Sequence, residues 1–258
     1  LSHTTGHYWI VEGDISKCFD NIDHSVLLRR LYHIGIKDRC VLQIVKAMLK
    51  AGIMDECTIN EYGTPQGGII SPLLANAYLD IMDEWITKQW ENKKTRHIYA
   101  SPGNRRGALY KTSLIPGCLV RYADDFVIIT DTRAHAEQWK AKLQIFLQNR
   151  LKLTLSTEKT LITDVRRKHI KFLGYEFKMI PGNSKKGYIT KTIPDRDRLR
   201  RKVDSIAESI KKIPRNYSRE QFIGEINRIN SQVRGIIQYY QCCTWVNLAM
   251  HNYSPRLQ

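Results

Sequence analysis

Two short apolar runs on either side of an aspartate pair constrain the fold more than any other part of this sequence. Residues 118–122 (CLVRY) and 126–130 (FVIIT) are rich in β-branched and aromatic side chains, a composition typical of strands. They predict a β-hairpin with Asp124 and Asp125 at its turn. Aspartate suits a turn, but two adjacent carboxylates repel each other. The plain alternative is a solvated turn without a function.

The segments around this hairpin predict an α+β fold. A strand is expected over residues 8–15, and a long loop or small insertion over 91–117. Helices are predicted over 24–34, 37–51, from Ser71 to about Trp90, and 134–150, with several short strands across 153–193. Strands and helices in this order form an antiparallel sheet with helices on one face.

Local signals set the expected helix starts and buried faces. Asp23 is placed to cap the helix over 24–34. Ser71 followed by Pro72 predicts an N-cap with proline at the first helical position. In the helix over 37–51, the side chains expected to point inward are Val41, Ile44, Val45 and Met48.

The character of the chain changes near Pro194. Apolar residues then recur at helical spacing in two successive segments, before and after Pro214. The first set is Leu199, Val203, Ile206, Ile210 and Ile213, and the second is Phe222, Ile226, Ile229, Val233, Ile236 and Tyr240. Two such helices are expected to pack on each other as a separate helical unit, so we place a domain boundary near residue 194.

The charge of the chain favours a polyanionic partner. The 258 residues include 41 Lys and Arg against 25 Asp and Glu, a net charge of +16. Of these, 18 basic and 6 acidic residues lie between Lys159 and Arg219. Such a concentration is typical of nucleic-acid binding, and the alternative is a solvated basic face with no partner.

Other features narrow the setting. No apolar run approaches the length of a bilayer span, and no signal-peptide pattern is present. Because the sequence begins with Leu1, we expect a piece of a longer polypeptide.

The six cysteines form no CxxC pair or zinc-ligand spacing, which favours reduced, inert thiols. They are Cys18, Cys40, Cys57, Cys118, Cys242 and Cys243.

Asp14 gives the aspartate pair a chemical interpretation. It lies just past Gly13, at the end of the predicted strand 8–15. If that strand neighbours the hairpin, three carboxylates meet at one sheet edge and need cations. Magnesium takes hard oxygen ligands and keeps positions open for phosphate and water, and two such ions support phosphoryl transfer. Together with the basic surface, this predicts a metal-dependent enzyme that polymerises nucleotides.

Six motifs follow one another along nearly the whole sequence. They are GDISKCFDNIDH (13–24), GTPQGGIISPLLANAYLD (63–80), YADD (122–125), LKLTLSTEKT (151–160), FLGYEF (172–177) and RGIIQYYQ (234–241). In this order they resemble the motifs of the reverse transcriptases of group II introns.

The resemblance implies a right-hand polymerase architecture. Residues 1–193 would form the palm with partial fingers elements, and residues 194–258 a truncated helical thumb, or maturase, region. The family's upstream fingers segment and C-terminal endonuclease module have no counterpart in the sequence given. The long segment 91–117 aligns poorly and receives no role.

The resemblance also implies a metal centre. Asp14, Asp124 and Asp125 would be the ligands of two Mg²⁺ ions, with Asp124 a stronger ligand than Asp125. The backbone carbonyl of Ile15 would touch one ion. Deoxynucleoside triphosphates would be the substrates.

Further residues take catalytic and nucleotide-binding roles by the same resemblance. Phe19 would lie under the incoming sugar and exclude a 2′-hydroxyl, or else be an ordinary core ring. Gln66 and Gly67 would contact the nascent base pair, although a glycine turn before a helix explains them equally. Lys159 would neutralise or protonate the departing pyrophosphate, or else be a solvated lysine.

The remaining residues would bind the primer and template. Tyr122 is expected beside the primer end, with a core tyrosine as the alternative. A turn formed by Phe172, Leu173, Gly174 and Tyr175 would hold the primer strand. The basic helix after Pro194 would contact the phosphate backbone of the duplex through charge rather than base recognition. Its cations are Arg196, Arg198, Arg200, Arg201 and Lys202.

Three functions agree with this pattern. The first is an RNA-directed DNA polymerase acting on an RNA template with a DNA primer. The second is a maturase that binds group II intron RNA and assists splicing, a role the same family often combines with the first. The third is a reverse transcriptase of a related retroelement, defence or diversity-generating system. A bacterial cytoplasm is the expected location, and an organelle matrix also fits.

Overall fold

The computed structural model describes residues 5–50, 69–156, 158–214 and 217–244. Contacts between residues divide the chain into two units. The first runs over Gly6–Asp164, and the second takes in Val165–Gln258.

A four-stranded antiparallel sheet forms the centre of the first unit. Its strands are β1 (Trp9–Gly13), β2 (Cys118–Tyr122), β3 (Asp125–Thr130) and β4 (Leu161–Asp164), in the order β2-β3-β1-β4. Successive side chains alternate between the faces. Val11, Phe126 and Ile128 are buried in the main core on one face, whereas Val120 and Tyr122 are exposed on the other.

The helices of this unit are α1 (His24–His33), α2 (Arg39–Lys50), α3 (Ser71–Gln89), α4 (Pro102–Leu109) and α5 (Arg133–Phe146), which continues as a π-helical turn over Leu147–Leu151. All but α4 cover the face that carries Val11 and Ile128, whereas Leu109 of α4 packs with Cys118 and Ile129 on the other face. Contacts of α3 with β2, and of α5 with β1, β3 and β4, close the main core. The predicted α+β class, an antiparallel sheet with helices on one face, is confirmed for these four helices.

Most of the predicted elements are present with similar bounds. The hairpin, the first helix and its Asp23 cap agree with expectation, because the Asp23 carboxylate accepts a hydrogen bond from the Val26 amide. The predicted inward residues of α5 are buried, among them Trp139 and Leu143. The alternation of side chains in strands and the helical spacing of apolar residues therefore predicted these elements correctly, because one face of each element packs on a large core.

Two local predictions were wrong, the first of them in part. In α2 the predicted inward residue Val45 is buried, as is Leu49, whereas Val41, Ile44 and Met48 are exposed. The helix carries more apolar surface than its contact with α1 covers. Ser71 is the first residue of α3 rather than its cap, since Ile70 holds the cap position without a side-chain hydrogen bond. The segment 91–117, predicted as a long loop or a small insertion, contains the short helix α4.

The second unit combines a three-stranded sheet with two helices. The strands are β5 (Ile170–Phe172), β6 (Tyr175–Pro181) and β7 (Tyr188–Pro194), followed by α6 (Arg196–Lys211) and α7 (Arg219–Tyr240). A small core joins the helices to the sheet, with Leu199, Val203 and Tyr240 buried against Tyr175. Of the apolar face predicted for α7, Ile229 and Tyr240 are buried, whereas Phe222 remains exposed.

The division between the units lies before this second sheet. The change of sequence character had suggested a boundary near residue 194, but β7 and the end of α7 are connected. The Thr192 carbonyl accepts a 2.9 Å hydrogen bond from the Thr244 amide, and the Thr192 amide donates a 2.9 Å bond to the Thr244 hydroxyl. The assignment of 1–193 to a palm and 194–258 to a thumb stays a prediction.

Two further observations concern the sequence-based expectations on cysteines and membranes. Cys18, Cys40, Cys118, Cys242 and Cys243 are free thiols, and Cys57 lies outside the described residues. Within the described part of the chain, every helix is too short or too polar to span a bilayer.

Candidate active site

Strand register brings Asp14 to the aspartate hairpin. In the antiparallel pairing of the two central strands, Gly13 stands opposite Phe126. Asp14 follows Gly13 directly, and Asp125 directly precedes Phe126. The next position in register therefore places the backbones of Asp14 and Asp125 side by side at one edge of the sheet.

A close ring contact requires glycine at this edge. Phe126 is 1% exposed, and its ring crosses the backbone of Gly13. A Cβ atom at residue 13 would lie 2.0 Å from the Phe126 Cζ atom, a distance that no real contact allows. Gly13 thus lets the strand that carries Asp14 approach its neighbour fully.

The turn that carries Asp124 is tight and held by Arg121. Tyr122 pairs with Asp125 across a two-residue turn, in which Ala123 adopts a left-handed conformation with φ of 54°. Non-glycine residues in this region are strained and cluster at functional sites. The Arg121 Nη1 atom donates a 2.7 Å hydrogen bond to the Ala123 carbonyl, which fixes the turn.

Helix α3 anchors that arginine. Its Nε and Nη2 atoms donate to both carboxylate oxygens of Asp83 at 2.6–3.0 Å, and its Nη1 atom also donates to the Asn76 side-chain oxygen at 2.9 Å. The Arg121 side chain is only 11% exposed. A forked, charge-assisted pair of this kind is among the strongest polar contacts in proteins.

Sequence analysis assigned no role to Arg121. Arg121 pairs with Phe126 across the hairpin, so both residues belong to the helix-covered face. A charged residue at a buried register position is a signal that a partner must exist. The identity of the partner, Asp83, was not accessible from the strand pattern.

A third segment closes the site. Ile15 forms an antiparallel bridge with Leu155, the Ser156 amide donates to the Asp14 carbonyl at 2.9 Å, and the Ser16 amide donates to the Thr154 carbonyl at 3.0 Å. These contacts bring the motif that contains Lys159 beside Asp14.

Lys159 forms an ion pair with the first predicted ligand. Its Nζ atom lies 3.1 Å from the Asp14 Oδ2 atom, and its side chain is largely exposed. The ammonium group therefore stands beside the carboxylates and remains reachable from solvent. Ile15 is buried through its side chain, and contact of its carbonyl with a metal stays a prediction.

The electrostatics of the site confirm that the charges act on one another. Partial burial, helped by the negative charges of Asp124 and Asp14, raises the pKa of Asp125, and Lys159 opposes that rise. Burial and the same two carboxylates raise the pKa of the Cys18 thiol to about 12, against the effect of Arg121. Cys18 is therefore a neutral thiol at physiological pH.

The chemistry of the donors fits magnesium, although the side chains are not arranged around a common point. Three aspartates at a sheet edge provide the hard oxygen ligands that this ion prefers. Within the described ranges, however, no three carboxylate, imidazole or thiol groups are placed so that they could hold a metal ion.

Comparison with known proteins identifies the family. Residues 1–177 match the family model described as reverse transcriptase (RNA-dependent DNA polymerase). The chain belongs to the reverse transcriptase family.

The curated relatives include proteins of introns. The group II intron-encoded protein LtrA of Lactococcus lactis subsp. cremoris is 33% identical over 91% of this chain. The putative COX1/OXI3 intron 1 protein of Saccharomyces cerevisiae is 31% identical over 73% of it. The chain spans 49% of LtrA and 26% of the yeast protein. The resemblance to group II intron proteins that the motifs indicated is thus confirmed, as is the expected polymerase class of the fold.

Solved structures were also compared. A telomerase of Candida albicans, determined with a fragment of telomeric RNA, covers all of this chain at 11% identity and a TM-score of 0.47, over 46% of its own length. This likeness is too low to support a conclusion.

Other residues expected at a reverse transcriptase site are placed as follows. Tyr122 is exposed and shares its register pair with Asp125, so it is not a core tyrosine. Phe19 begins a short 3₁₀ helix, Phe19–Asn21, and is partly buried against the main core. Gln66 and Gly67 lie outside the described residues. The sugar-gate and nucleotide-binding roles stay predictions.

The turn expected to hold the primer lies in the second unit and is well fixed. Phe172 pairs with Tyr175, and both turn residues have positive φ, 51° at Leu173 and 74° at Gly174. The Tyr239 hydroxyl donates to the Leu173 carbonyl at 2.6 Å, and the Asp195 amide donates to the Gly174 carbonyl at 3.0 Å. The predicted turn is confirmed, and contact with a primer stays a prediction.

The predicted basic cations of α6 differ in their surroundings. Arg200 lies 3.8 Å from Asp204 on its own helix, and the Arg196 amide contacts Glu176. Arg198, Arg201 and Lys202 instead line a groove between α6 and α7. The five residues are therefore not equivalent, although sequence spacing had grouped them.

Proposed function

We propose that this chain carries the polymerase centre of a group II intron reverse transcriptase. In this proposal it joins a deoxynucleoside triphosphate to the 3′-hydroxyl of a DNA primer paired with an RNA template. The main support is the strand register, which sets Asp14 beside Asp125 and the Asp124 turn. A separate support is membership of the reverse transcriptase family.

In this proposal Asp14, Asp124 and Asp125, with the Ile15 carbonyl, hold two Mg²⁺ ions. When bound, the ions neutralise the triphosphate and lower the pKa of the primer hydroxyl. The carboxylates themselves hold fixed negative charge at the sheet edge, where Arg121 immobilises the turn that carries two of them. Placing the reactants and neutralising charge are the main demands of phosphoryl transfer.

Lys159 is assigned to the leaving group. Its exposed ammonium tip, 3.1 Å from Asp14, is within reach of a pyrophosphate bound beside the carboxylates. It would neutralise the departing charge or donate a proton to it. Phe19 would select the deoxy sugar, and Gln66 and Gly67 would contact the nascent base pair.

The nucleic acid would be held mainly by the second unit and by Tyr122. The turn from Phe172 to Tyr175 would position the primer, and the cations of α6 would contact phosphates of the A-like RNA–DNA duplex. Since the relatives are proteins of a bacterial intron and a yeast intron, a bacterial cytoplasm or an organelle matrix is the proposed setting.

Primer extension with an Asp124→Asn variant tests the proposal. Loss of one ligand charge should lower extension on an RNA template by a factor on the order of 10³ in Mg²⁺, while RNA binding is retained. Asp131→Asn is a matched control, because Asp131 follows the opposite end of β3 and contacts His135. Undiminished extension by Asp124→Asn would refute the assignment of the ligands.

A second function, intron RNA maturation, is favoured by the same relatives and by the basic surface of α6. It predicts that Asp124→Asn supports intron splicing as well as the wild-type protein does. If the wild type splices but never extends a primer, the chain is an RNA-binding maturase rather than a polymerase. Splicing and extension should therefore be measured in parallel on the full-length protein.

A further inference from the structure

A groove between α6 and α7 of the second unit has the features of a ligand site. It encloses about 830 Å³. Arg198, Arg201 and Lys202 line its α6 side, and Gln232, Gly235 and Tyr239 line its α7 side. Their spacing of three and four residues places each set on a single helix face.

In the described part of the chain, the three cations of the groove form no ion pair within 4 Å, whereas Arg200 lies 3.8 Å from Asp204 and Lys171 lies 2.9 Å from Asp197. The nearest carboxylate is that of Asp197, whose pKa is lowered mainly by Lys171 and less by Arg201. Three cations on one concave wall exceed this counter-charge, which favours an anionic ligand.

Gly235 supplies an independent indication. It lies inside the 22-residue helix α7, where glycine destabilises a helix relative to alanine. A Cβ atom at this position would meet no atom within 4 Å, so internal packing does not require glycine. The missing side chain leaves open the part of the groove between Gln232 and Tyr239.

Tyr239 forms a fixed wall of the groove. Its ring stacks on Tyr175 with centroids 5.3 Å apart, and its hydroxyl donates to the Leu173 carbonyl at 2.6 Å. The groove therefore has a charged side, an amide donor and acceptor in Gln232, and a rigid aromatic end. A space of this size can hold the sugar–phosphate backbone of one strand.

We propose that this groove binds the backbone of a single RNA strand. Phosphates contact Arg198, Arg201 and Lys202, and a ribose lies against Gly235 with its 2′-hydroxyl bonded to Gln232. A hydrogen bond to the 2′-hydroxyl distinguishes RNA from DNA. The inference rests on the nucleic-acid binding proposed above but not on the carboxylate chemistry, which belongs to the other unit.

Filling the groove tests the proposal without changing its charge. The probe is a fluorescent, unstructured RNA of about 20 nucleotides, and its affinity is read by anisotropy. Gly235→Leu should raise the temperature of unfolding, because leucine favours helix, yet weaken RNA binding roughly tenfold or more. Gly224→Leu is the matched control, since Gly224 is also on α7 in open space but outside the groove. It should stabilise the helix similarly and leave RNA affinity unchanged.

Salt dependence gives a second measurement. Replacing Arg198, Arg201 and Lys202 together by glutamine should reduce the slope of log affinity against log salt by about 2, since each phosphate contact on a single strand contributes about 0.7. Lys142→Gln, a change at an exposed lysine of α5 in the first unit, should change it little. Gln232→Ala should reduce the preference for the RNA probe over DNA of the same sequence.

The outcomes separate this inference from the polymerase proposal. If Gly235→Leu binds the RNA probe as tightly as Gly224→Leu does, the groove is not the site and the inference is overturned. The inference is also overturned if the variant with glutamine at Arg198, Arg201 and Lys202 keeps the wild-type slope of log affinity against log salt. Loss of extension in Asp124→Asn with full RNA binding supports the polymerase proposal, whereas extension by that variant refutes the polymerase centre alone.

Discussion

Two hairpin turns, one in each unit, hold a residue in a strained backbone conformation by different contacts. The hairpins at Ala123–Asp124 and Leu173–Gly174 each close with two residues, and each contains a non-glycine residue in the left-handed region, with φ of 54° at Ala123 and 51° at Leu173. Such strain persists only where the surroundings hold it. In both turns, a side chain donates a hydrogen bond to the carbonyl of that strained residue.

The two turns differ in the side chain that donates this hydrogen bond. Arg121, paired with Asp83, holds the first turn, whereas the neutral hydroxyl of Tyr239 holds the second. The first turn lies beside two carboxylates, whose repulsion at Asp125 is opposed by Lys159, whereas Arg121 fixes the backbone. The second presents no charge of its own. We expect the aspartate turn to depend on ion pairing and the other turn on hydrogen bonding alone.

Removing Arg121 should have the largest effect. Arg121→Ala leaves the mostly buried Asp83 charge unpaired and frees the Ala123 carbonyl, so the free energy of unfolding should fall by about 3 kcal/mol. Primer extension should fall by more than the loss of folding stability explains. The Mg²⁺ concentration that gives the half-maximal rate of extension should rise. Denaturant unfolding and Mg²⁺ titration of extension are the measurements.

The controls for Arg121 separate charge from geometry. Arg121→Lys keeps the charge but cannot form the fork to Asp83 and the bond to Ala123 together, so its Mg²⁺ requirement should remain raised. If Arg121→Ala extends primers with the wild-type Mg²⁺ dependence, the arginine does not position the aspartate turn.

An exchange of glycine and alanine between the turns should give the next largest effect. Gly174→Ala must place a side chain at φ of 74° and should lower the free energy of unfolding by about 1–2 kcal/mol. Ala123→Gly relieves strain but adds unfolded-state freedom, so its net change should stay within about 0.5 kcal/mol. Equal destabilisation by both variants would show that the turns are not strained as described.

Tyr239→Phe should produce a smaller loss. It removes the donor to the Leu173 carbonyl while keeping the ring, and should cost about 1 kcal/mol of unfolding free energy. Its effect should be the same at low and high salt, unlike that of Arg121→Lys. A strong salt dependence for Tyr239→Phe would contradict the neutral character assigned to the second turn.

Asp125→Asn should give the smallest change, and its sign depends on pH. The folded protein raises the pKa of Asp125 above the ordinary 3.8, so its contribution favours folding below that value and is lost as pH rises through the raised pKa. At pH 7 the variant should therefore unfold at a temperature up to about 2 °C higher than wild type, since exposure screens the repulsion. Below pH 3.8 the difference should vanish. Equal unfolding temperatures at all pH values would contradict the repulsion among the aspartates.

The sequence predicted the sheet of the first unit well because each strand has one buried face. The hairpin strands were expected at 118–122 and 126–130 and are observed at Cys118–Tyr122 and Asp125–Thr130. Two-residue alternation specifies which side chains share a face. The position of Asp14 beside the hairpin was predicted on the condition that its strand neighbours the hairpin, and the pairing of β1 with β3 meets this condition.

Predictions failed where tertiary partners decide the result. Helix α2 has apolar residues on several sides, and only its contact with α1 selects Val45 and Leu49 for burial. Arg121 depends on Asp83 in a distant helix, and Arg198 lines a groove that exists only because α7 packs beside α6. Such contacts arise from packing between elements and have no local sequence signal.

Binding of Mn²⁺, a paramagnetic substitute for Mg²⁺, tests most directly whether Asp14 and the Asp124–Asp125 pair share a divalent-cation site. Electron paramagnetic resonance would give its affinity for the wild-type, Asp14→Asn, Asp124→Asn and Asp131→Asn proteins. The shared site predicts that Asp14→Asn and Asp124→Asn each weaken binding by about tenfold or more, while Asp131→Asn binds normally. An Asp14→Asn protein that binds Mn²⁺ with wild-type affinity would contradict the shared site.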